Sequence, residues 1–249
     1  GTYNWLKTKP DGVAQAKKFI DNIVITDDEL KPNRRKHWDS PWSSFNAPFL
    51  NGNKHKIWEY SPYEQTLLLD IDYMIRSDSL LHSFDHYTGP AMFDNAISLR
   101  NELPGPRERF LFDAGIPMWW STVVYFDRTD VSKTFFDLWA HVADNYEFYQ
   151  YLYNFPGKLF RTDYCVSIAV HILNGMTAGD TVNSLPGFLL NMDQKDDIVE
   201  VRPKDWIMLS NDTAKQWENI VVKVTDQDMH CMNKRAILRH KKNIWENNT

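Results

Sequence analysis

Residues 66–75 read TLLLDIDYMI, a short apolar run that contains two aspartates separated by a single residue. A short apolar run bounded by turn-forming residues predicts a buried β-strand. Side chains at positions i and i+2 of a strand point the same way. We therefore expect Asp70 and Asp72 to share one face of this strand, while Ile71 packs on the other face.

This pair of aspartates predicts a metal site. Two carboxylates held so close repel each other, and a bound cation relieves that repulsion. Oxygen ligands suit Mg²⁺ or Mn²⁺, which can also bridge to a diphosphate. Ligands of open α/β sheets bind at the carboxyl ends of strands, where this pair is expected. The alternative interpretation is a solvated strand end or a cap, because the three-residue pattern also occurs by chance.

Strands and helices alternate along the rest of the chain, which predicts an α/β fold with a mixed, Rossmann-like sheet flanked by helices. We expect a single domain over residues 1–249, since no internal boundary is evident. Residues 31–64 are polar and rich in turn-forming residues, which is typical of a functional loop. The predicted helices cover 12–20, about 130–150 and 163–174, and the other predicted strands cover 22–26, 91–94, 119–126 and 220–224.

Composition narrows the class of protein. The 249 residues are 43% hydrophobic and 24% charged, as in an ordinary globular protein. A net charge of −5 argues against broad, non-specific binding to nucleic acid, although a local basic patch could still serve a nucleic-acid acceptor. Aromatic residues reach 14%, which suits stacking on sugars or bases and equally suits a bulky core.

Cysteine usage and hydropathy favour a cytoplasmic protein. Cys165 and Cys231 form no CxxC pair, so neither a disulfide framework nor a structural zinc site is predicted. No apolar run approaches the length of a membrane span, and residues 1–4 do not resemble the start of a signal peptide.

Four segments together resemble GT-A glycosyltransferases, notably the group of glycogenin and the bacterial galactosyltransferases (family eight). They are, in order, 66–72 (TLLLDID), 120–126 (WSTVVYF), 161–164 (RTDY) and 228–234 (DMHCMNK). The set is similar in particular to uncharacterised glycosyltransferases of large phages and algal viruses, which would place the protein in the host cytoplasm. The resemblance implies a nucleotide-binding part at about 1–90 and a part for sugar and acceptor at about 91–240.

The resemblance also implies a reaction, in which a sugar moves from a nucleotide-diphosphate donor, UDP-sugar above all, to an acceptor hydroxyl with Mn²⁺ or Mg²⁺ bound. The acceptor is open among a glycan, a protein and a modified nucleic acid. The implied metal ligands are Asp70, Asp72 and His230, and Asp70 would also contact the donor ribose.

The remaining implied roles concern the donor and the acceptor. They are a diphosphate contact from Lys234, a lining of the donor sugar by Ser121 and Thr122, a sugar or acceptor contact from Asp163, a candidate base at Asp113, and stacking of the nucleotide base on Tyr3. The match departs from the group at its end, because His230 and Lys234 are only four residues apart and no Lys-Pro-Trp follows. A structural histidine, a solvated lysine and an ordinary Asp at a helix N-terminus are the competing interpretations.

Two other functions fit parts of the pattern. Phosphatases of the haloacid-dehalogenase type also end an apolar strand in DxD, with the first aspartate, here Asp70, as nucleophile. They require Thr or Val where this chain has Met74. An inactive, carbohydrate-binding relative of the GT-A fold is the second alternative. Phosphate-loop and dinucleotide-binding proteins are excluded, since neither GxxxxGK nor GxGxxG occurs.

Overall fold

The computed structural model describes residues 11–18, 20–24, 34–48, 52–105, 109–111, 114–155, 159–212 and 218–246. The chain divides into two compact units, Gly1–Lys31 and Pro32–Thr249. In the first unit the predicted helix is confirmed but shorter, ending at Ala16. Residues 22–24 form no regular structure, so this half of the strand predicted over 22–26 is wrong, and residues 25 and 26 lie outside the described ranges.

The class is mixed α/β. The strands are β1 (Arg34–Trp38), β2 (Ser44–Pro48), β3 (Gln65–Leu69), β4 (Tyr73–Met74), β5 (Ala91–Phe93), β6 (Ala96–Ser98), β7 (Trp120–Asp127), β8 (Asn183–Ser184), β9 (Leu189–Met192), β10 (Asp197–Val201), β11 (Asp205–Asp212), β12 (Glu218–Thr225) and β13 (Met229–Cys231). The helices are α1 (Gly12–Ala16), α2 (Ile57–Tyr60), α3 (Ser83–His86), α4 (Asp130–Asp144), α5 (Tyr146–Leu152), α6 (Thr162–Leu173), α7 (Lys234–Arg239) and α8 (Lys241–Glu246), with 3-10 turns at Lys54–Lys56 and Ser79–His82.

Two mixed four-stranded sheets form the centre of the second unit. The first sheet has the order β3-β7-β5-β8, in which β7 runs antiparallel to both of its neighbours. The second has the order β4-β13-β9-β6, in which β13 is antiparallel to β4 and parallel to β9. Strand β7 is buried from Ser121 to Phe126, as expected for an apolar strand between two neighbours.

Helices α4 and α6 cover the first sheet with aromatic and branched side chains. Phe136 and Trp139 of α4 pack with Phe126 of β7, and Ile168 of α6 joins the same core cluster. Helix α4 begins where Thr129 accepts a hydrogen bond from the backbone N–H of Ser132, the usual N-cap arrangement. The single helix predicted over about 130–150 is two helices, divided at Asn145.

The periphery consists of a three-stranded antiparallel sheet, β10-β11-β12, and a hairpin of β1 and β2. The hairpin lies within residues 31–64, which the sequence pattern predicts to be irregular. Its strands are short and mostly exposed, so they carry little of the apolar alternation that identifies a strand. None of the helices in the described part of the chain combines the length and apolar character needed to cross a bilayer.

Candidate metal centre

The two aspartates lie in a turn between two strands. Strand β3 ends at Leu69, and the backbone N–H of Tyr73 donates to the carbonyl oxygen of Asp70 at 3.0 Å. Ile71 lies at the tip of this turn with 86% of its surface exposed. The prediction of one continuous strand over 66–75, with Ile71 packed on its second face, is therefore wrong. The turn, and not strand alternation, brings the two carboxylates together.

Backbone hydrogen bonds fix this turn between the two central sheets. The N–H of Asp70 donates to the carbonyl oxygen of Thr122 on β7 at 2.9 Å. On the other side, the N–H of Cys231 on β13 donates to the carbonyl oxygen of Asp72, also at 2.9 Å. Because both ends of the turn are bonded to different sheets, the position of each carboxylate depends on the tertiary fold.

His230 completes a cluster of possible metal ligands. One ligand atom from each of Asp70, Asp72 and His230 can be chosen so that the three lie within 4.8 Å of one another. The Nε2 atom of His230 is 3.6 Å from Oδ1 of Asp72, and both side chains are largely buried. Strand register explains why His230 lies close to Asp72, since His230 on β13 pairs with Tyr73, the residue directly after Asp72.

The tautomer of His230 suits a metal ligand. Its Nδ1 atom lies 3.1 Å from the side-chain oxygen of Asn191, which can only accept a hydrogen bond. In a neutral ring Nδ1 therefore carries the hydrogen, and the lone pair of Nε2 faces Asp72. Two carboxylate oxygens and one imidazole nitrogen form a donor set that fits Mn²⁺ or Mg²⁺ and leaves further positions for a substrate's oxygens.

Lys234 lies beside this cluster. Its Nζ atom is 3.1 Å from Oδ2 of Asp72, and half of its side chain is exposed. Lys234 is the first residue of α7, whose N-cap Asn233 accepts from the N–H of Ala236. Burial raises the pKa of Asp72, but the charge and hydrogen bond of Lys234, together with those of His230 when its ring carries a proton on both nitrogens, outweigh burial and hold that pKa well below its usual range. Asp72 is therefore an anion at neutral pH.

Lys54 is a site residue that the sequence reasoning missed. Its Nζ atom is 2.5 Å from Oδ1 of Asp70 and also donates to the carbonyl oxygen of Ser121 at 2.9 Å. Burial raises the pKa of Asp70, and the nearby ammonium of Lys54 offsets only part of that increase. Lys54 lies in the segment predicted to be irregular, among other polar residues, so no periodicity or motif singles it out.

Asp163 is bonded to the strand that carries Ser121. One carboxylate oxygen accepts from the backbone N–H of Ser121 at 3.1 Å and from its hydroxyl at 2.9 Å. The guanidinium of Arg161 lies 3.5 Å from the other oxygen. Burial raises the pKa of Asp163, but the charges of Arg161 and Lys54 and the bonds from Ser121 together lower it. Its carboxylate thus joins α6 to β7, beside the residues that contact Lys54.

The other predicted site residues divide into two groups. Thr122 is buried, and its backbone oxygen holds the N–H of Asp70. Tyr3 and Asp113 lie outside the described residues, so their predicted roles stay predictions.

A cleft lies one helical turn from Asp163. Ser167 donates to the carbonyl oxygen of Asp163 at 2.6 Å and accepts from the N–H of Trp119 at 2.8 Å. Ser167 and Trp119 line an open cleft of about 260 Å³ together with Asp94 and His171. Asp94 and His171 supply polar groups to this cleft, whereas the hydroxyl of the buried Ser167 is already bonded to Asp163 and Trp119.

Comparison with protein-family models, with curated proteins and with solved structures finds no match to this chain.

Proposed function

We propose that this protein is a metal-dependent glycosyltransferase of the GT-A type, which moves a sugar from a nucleotide-diphosphate donor, UDP-sugar above all, to an acceptor hydroxyl. The observation that carries the proposal is the cluster of Asp70, Asp72 and His230, whose ligand atoms lie within 4.8 Å at the junction of two sheets. The lysines beside this cluster add the positive charge that a diphosphate needs.

Asp72, His230 and Asp70 are the residues that would hold Mn²⁺ or Mg²⁺. The bound ion would supply positive charge that stabilises the diphosphate as it leaves. Lys234 adds a second positive charge, 3.1 Å from Oδ2 of Asp72, that would also stabilise the negative charge of the diphosphate. Asn191 keeps the imidazole in the tautomer that binds metal.

The transferred sugar would lie on the side of the cluster where Lys54 meets Ser121. Lys54 joins the Asp70 carboxylate to the Ser121 carbonyl, and Asp163 holds the Ser121 hydroxyl. This network is preorganised, so its polar groups can orient sugar hydroxyls without large rearrangement. The nearby cleft at Trp119 is the place where the acceptor would enter, and its aromatic and polar lining favours a glycan among the three acceptor classes.

We place the protein in the cytoplasm, which would be the host cytoplasm for a viral protein. Cys165 and Cys231 are both free thiols buried in the fold, which is consistent with a reducing compartment.

The test is metal-dependent hydrolysis of the donor. The wild-type protein should slowly release UDP from a UDP-sugar in the presence of Mn²⁺, and Asp72→Asn should abolish the release by removing a ligand charge. Asp85→Asn is the matched control, because Asp85 is an exposed aspartate on α3, and it should release UDP at the wild-type rate.

The same assay separates the alternatives. A phosphatase would cleave an aryl phosphate and leave UDP-sugars intact, which would refute the proposal. An inactive carbohydrate-binding protein would release no UDP from any donor in a panel of nucleotide sugars, and thermal shift would show no stabilisation by UDP with Mn²⁺.

A further inference from the structure

Lys54 reaches the candidate metal centre from a segment that is anchored by packing. It begins the 3-10 turn Lys54–Lys56, and the residues that follow the turn, Ile57 and Trp58, pack against the core cluster of α4 and β7. The centroid of the Trp58 ring lies 5.5 Å from that of Phe136 on α4. The backbone that carries Lys54 is therefore held in place, and its side chain extends from there to the cluster of metal ligands.

The ammonium of Lys54 contacts two oxygen atoms. Its Nζ atom lies 2.5 Å from Oδ1 of Asp70 and donates to the carbonyl oxygen of Ser121 at 2.9 Å. An ammonium has three N–H groups, so both contacts can be made at once. The Lys54 side chain is only 13% exposed, so water and salt screen little of the attraction between its charge and that of Asp70.

Asp70 is therefore open to two different cations. Its carboxylate belongs to the cluster that would hold Mn²⁺ or Mg²⁺, yet one of its oxygens is already paired with Lys54. An ion at the usual bond length of about 2 Å from that oxygen would lie within about 5 Å of Nζ. Two positive charges at such a distance repel each other strongly where water is scarce. The ammonium of Lys54 therefore lowers the affinity of the cluster for a divalent ion.

The two lysines of the site differ in this respect. Lys234 lies 3.1 Å from Oδ2 of Asp72, but its side chain is 53% exposed. An exposed ammonium can turn towards water, where it is hydrated and its charge is screened. Lys54 is largely buried, and the acceptor beside Asp70 is the Ser121 carbonyl that it already contacts. Lys54 therefore opposes a bound ion more strongly than Lys234 does.

We propose that Lys54 is a built-in competitor of the metal ion, whose ammonium neutralises Asp70 in the metal-free protein and gives up that carboxylate when the ion binds. The bond to the Ser121 carbonyl allows the ammonium to leave Asp70 by rotation of its flexible side chain, without movement of the backbone. The metal-free site stays folded, because Asp70 is paired with a cation before the ion arrives. The inference rests on the proposed function, because it requires the metal site, and it adds a residue that sets the affinity of this site without being a ligand.

The test is titration of the metal-free protein with Mn²⁺, in which electron paramagnetic resonance measures the free ion. Lys54→Met nearly keeps the length of the side chain and removes its charge, so the variant should bind Mn²⁺ about tenfold more tightly than wild type. Lys133→Met is the matched control. It removes the same charge from an exposed position on α4, so its affinity should stay within about twofold of wild type.

Thermal unfolding provides a second measurement. An ion that binds more tightly stabilises the folded state more at a given concentration. The melting temperature should therefore rise more on addition of Mn²⁺ for Lys54→Met than for wild type, although the metal-free variant is the less stable of the two proteins.

Equal or weaker binding of Mn²⁺ by Lys54→Met would overturn the inference and leave the proposed function intact, since Lys54 would then position Asp70 and not compete for it. If neither wild type nor Lys54→Met binds Mn²⁺, the inference and the proposed function are both refuted. Binding about tenfold tighter by Lys133→Met would also overturn the inference, since net charge alone would then explain the gain. If circular dichroism shows that Lys54→Met is unfolded, the uncharged variant Lys54→Gln replaces it in the same titration.

Discussion

The imidazole of His230 is held between Asn191, which lies 3.1 Å from Nδ1, and Asp72, which lies 3.6 Å from Nε2. Both short distances follow from the register of strand β13 with its two neighbours. His230 on β13 pairs with Asn191 on β9 in parallel and with Tyr73 on β4 in antiparallel orientation. The ring orientation is thus built into the second sheet.

Asn191→Leu should lower the affinity for Mn²⁺ by roughly 10- to 100-fold, because the ring loses the partner that fixes its tautomer and orientation. Asn191→Asp retains an oxygen acceptor and should bind Mn²⁺ at least as tightly as wild type. Electron paramagnetic resonance of free Mn²⁺ measures both affinities. Equal affinities of Asn191→Leu and wild type would contradict a role of Asn191 in preparing the ligand.

Lys54→Met should destabilise the protein, because it leaves the Asp70 carboxylate partly buried without its cation. We expect the free energy of unfolding to fall by about 1–2 kcal/mol, less than for a fully buried pair, since about a quarter of the Asp70 side chain is exposed. Asp70→Asn in the Lys54→Met background should recover part of this loss. Urea unfolding of wild type, of each single variant and of the double variant measures the coupling energy between Lys54 and Asp70. If the losses of the two single variants add up to that of the double variant, the ion pair contributes nothing to stability.

Because of Asp196, the free energy of unfolding should depend on pH at values above those at which carboxyl groups usually titrate. It accepts from the N–H groups of Asp193 and Asn211, and burial still raises its pKa to about 6. A carboxyl whose pKa is higher in the folded than in the unfolded state binds its proton more tightly when folded. Its contribution to stability therefore rises as the pH falls from about 7 to about 4, by at most about 3 kcal/mol.

Comparison with Asp196→Asn isolates this contribution from that of other groups. The difference in unfolding free energy between wild type and variant should change between about pH 7.5 and pH 4.5, in favour of wild type at the lower pH. Asp72 and Asp163 act in the opposite direction, because their pKa values are lowered, but their contribution is lost only below about pH 4. Urea unfolding at several pH values provides the data, and a difference that is constant with pH would contradict the expectation.

Several elements lie where the sequence pattern predicted them. The strands at Ala91–Phe93, Trp120–Asp127 and Glu218–Thr225 and the helix Thr162–Leu173 are confirmed within one or two residues. The hairpin was missed because two of its four partly buried residues, Arg35 and His37, are charged or polar, so no apolar alternation marks its strands. Packing against Gln194 and α7 stabilises it, and such contacts lie beyond any local window of sequence.

At the candidate site, the sequence pattern predicted Asp70 and Asp72, and the resemblance implied His230, Lys234 and Asp163. The structure brings the first four together and joins Asp163 to Ser121, a neighbour of this cluster. It gave the wrong reason for the first two. Alternation along a strand predicted their common direction, whereas a turn produces it. Lys54 was missed because its partners, Asp70 and the carbonyl of Ser121, are distant in sequence, and lysine in a polar segment carries no signal of its own.

The exposed tip of the turn has a consequence for recognising relatives of this protein. Ile71 contacts solvent over 86% of its surface, so selection for packing does not act on it, whereas Tyr73 two positions later is only 8% exposed. Substitutions at position 71 should therefore accumulate freely during evolution, while position 73 should accept only large apolar or aromatic residues. A sequence profile for this class of site should allow any residue between the two aspartates and should require a large apolar or aromatic residue directly after the second one.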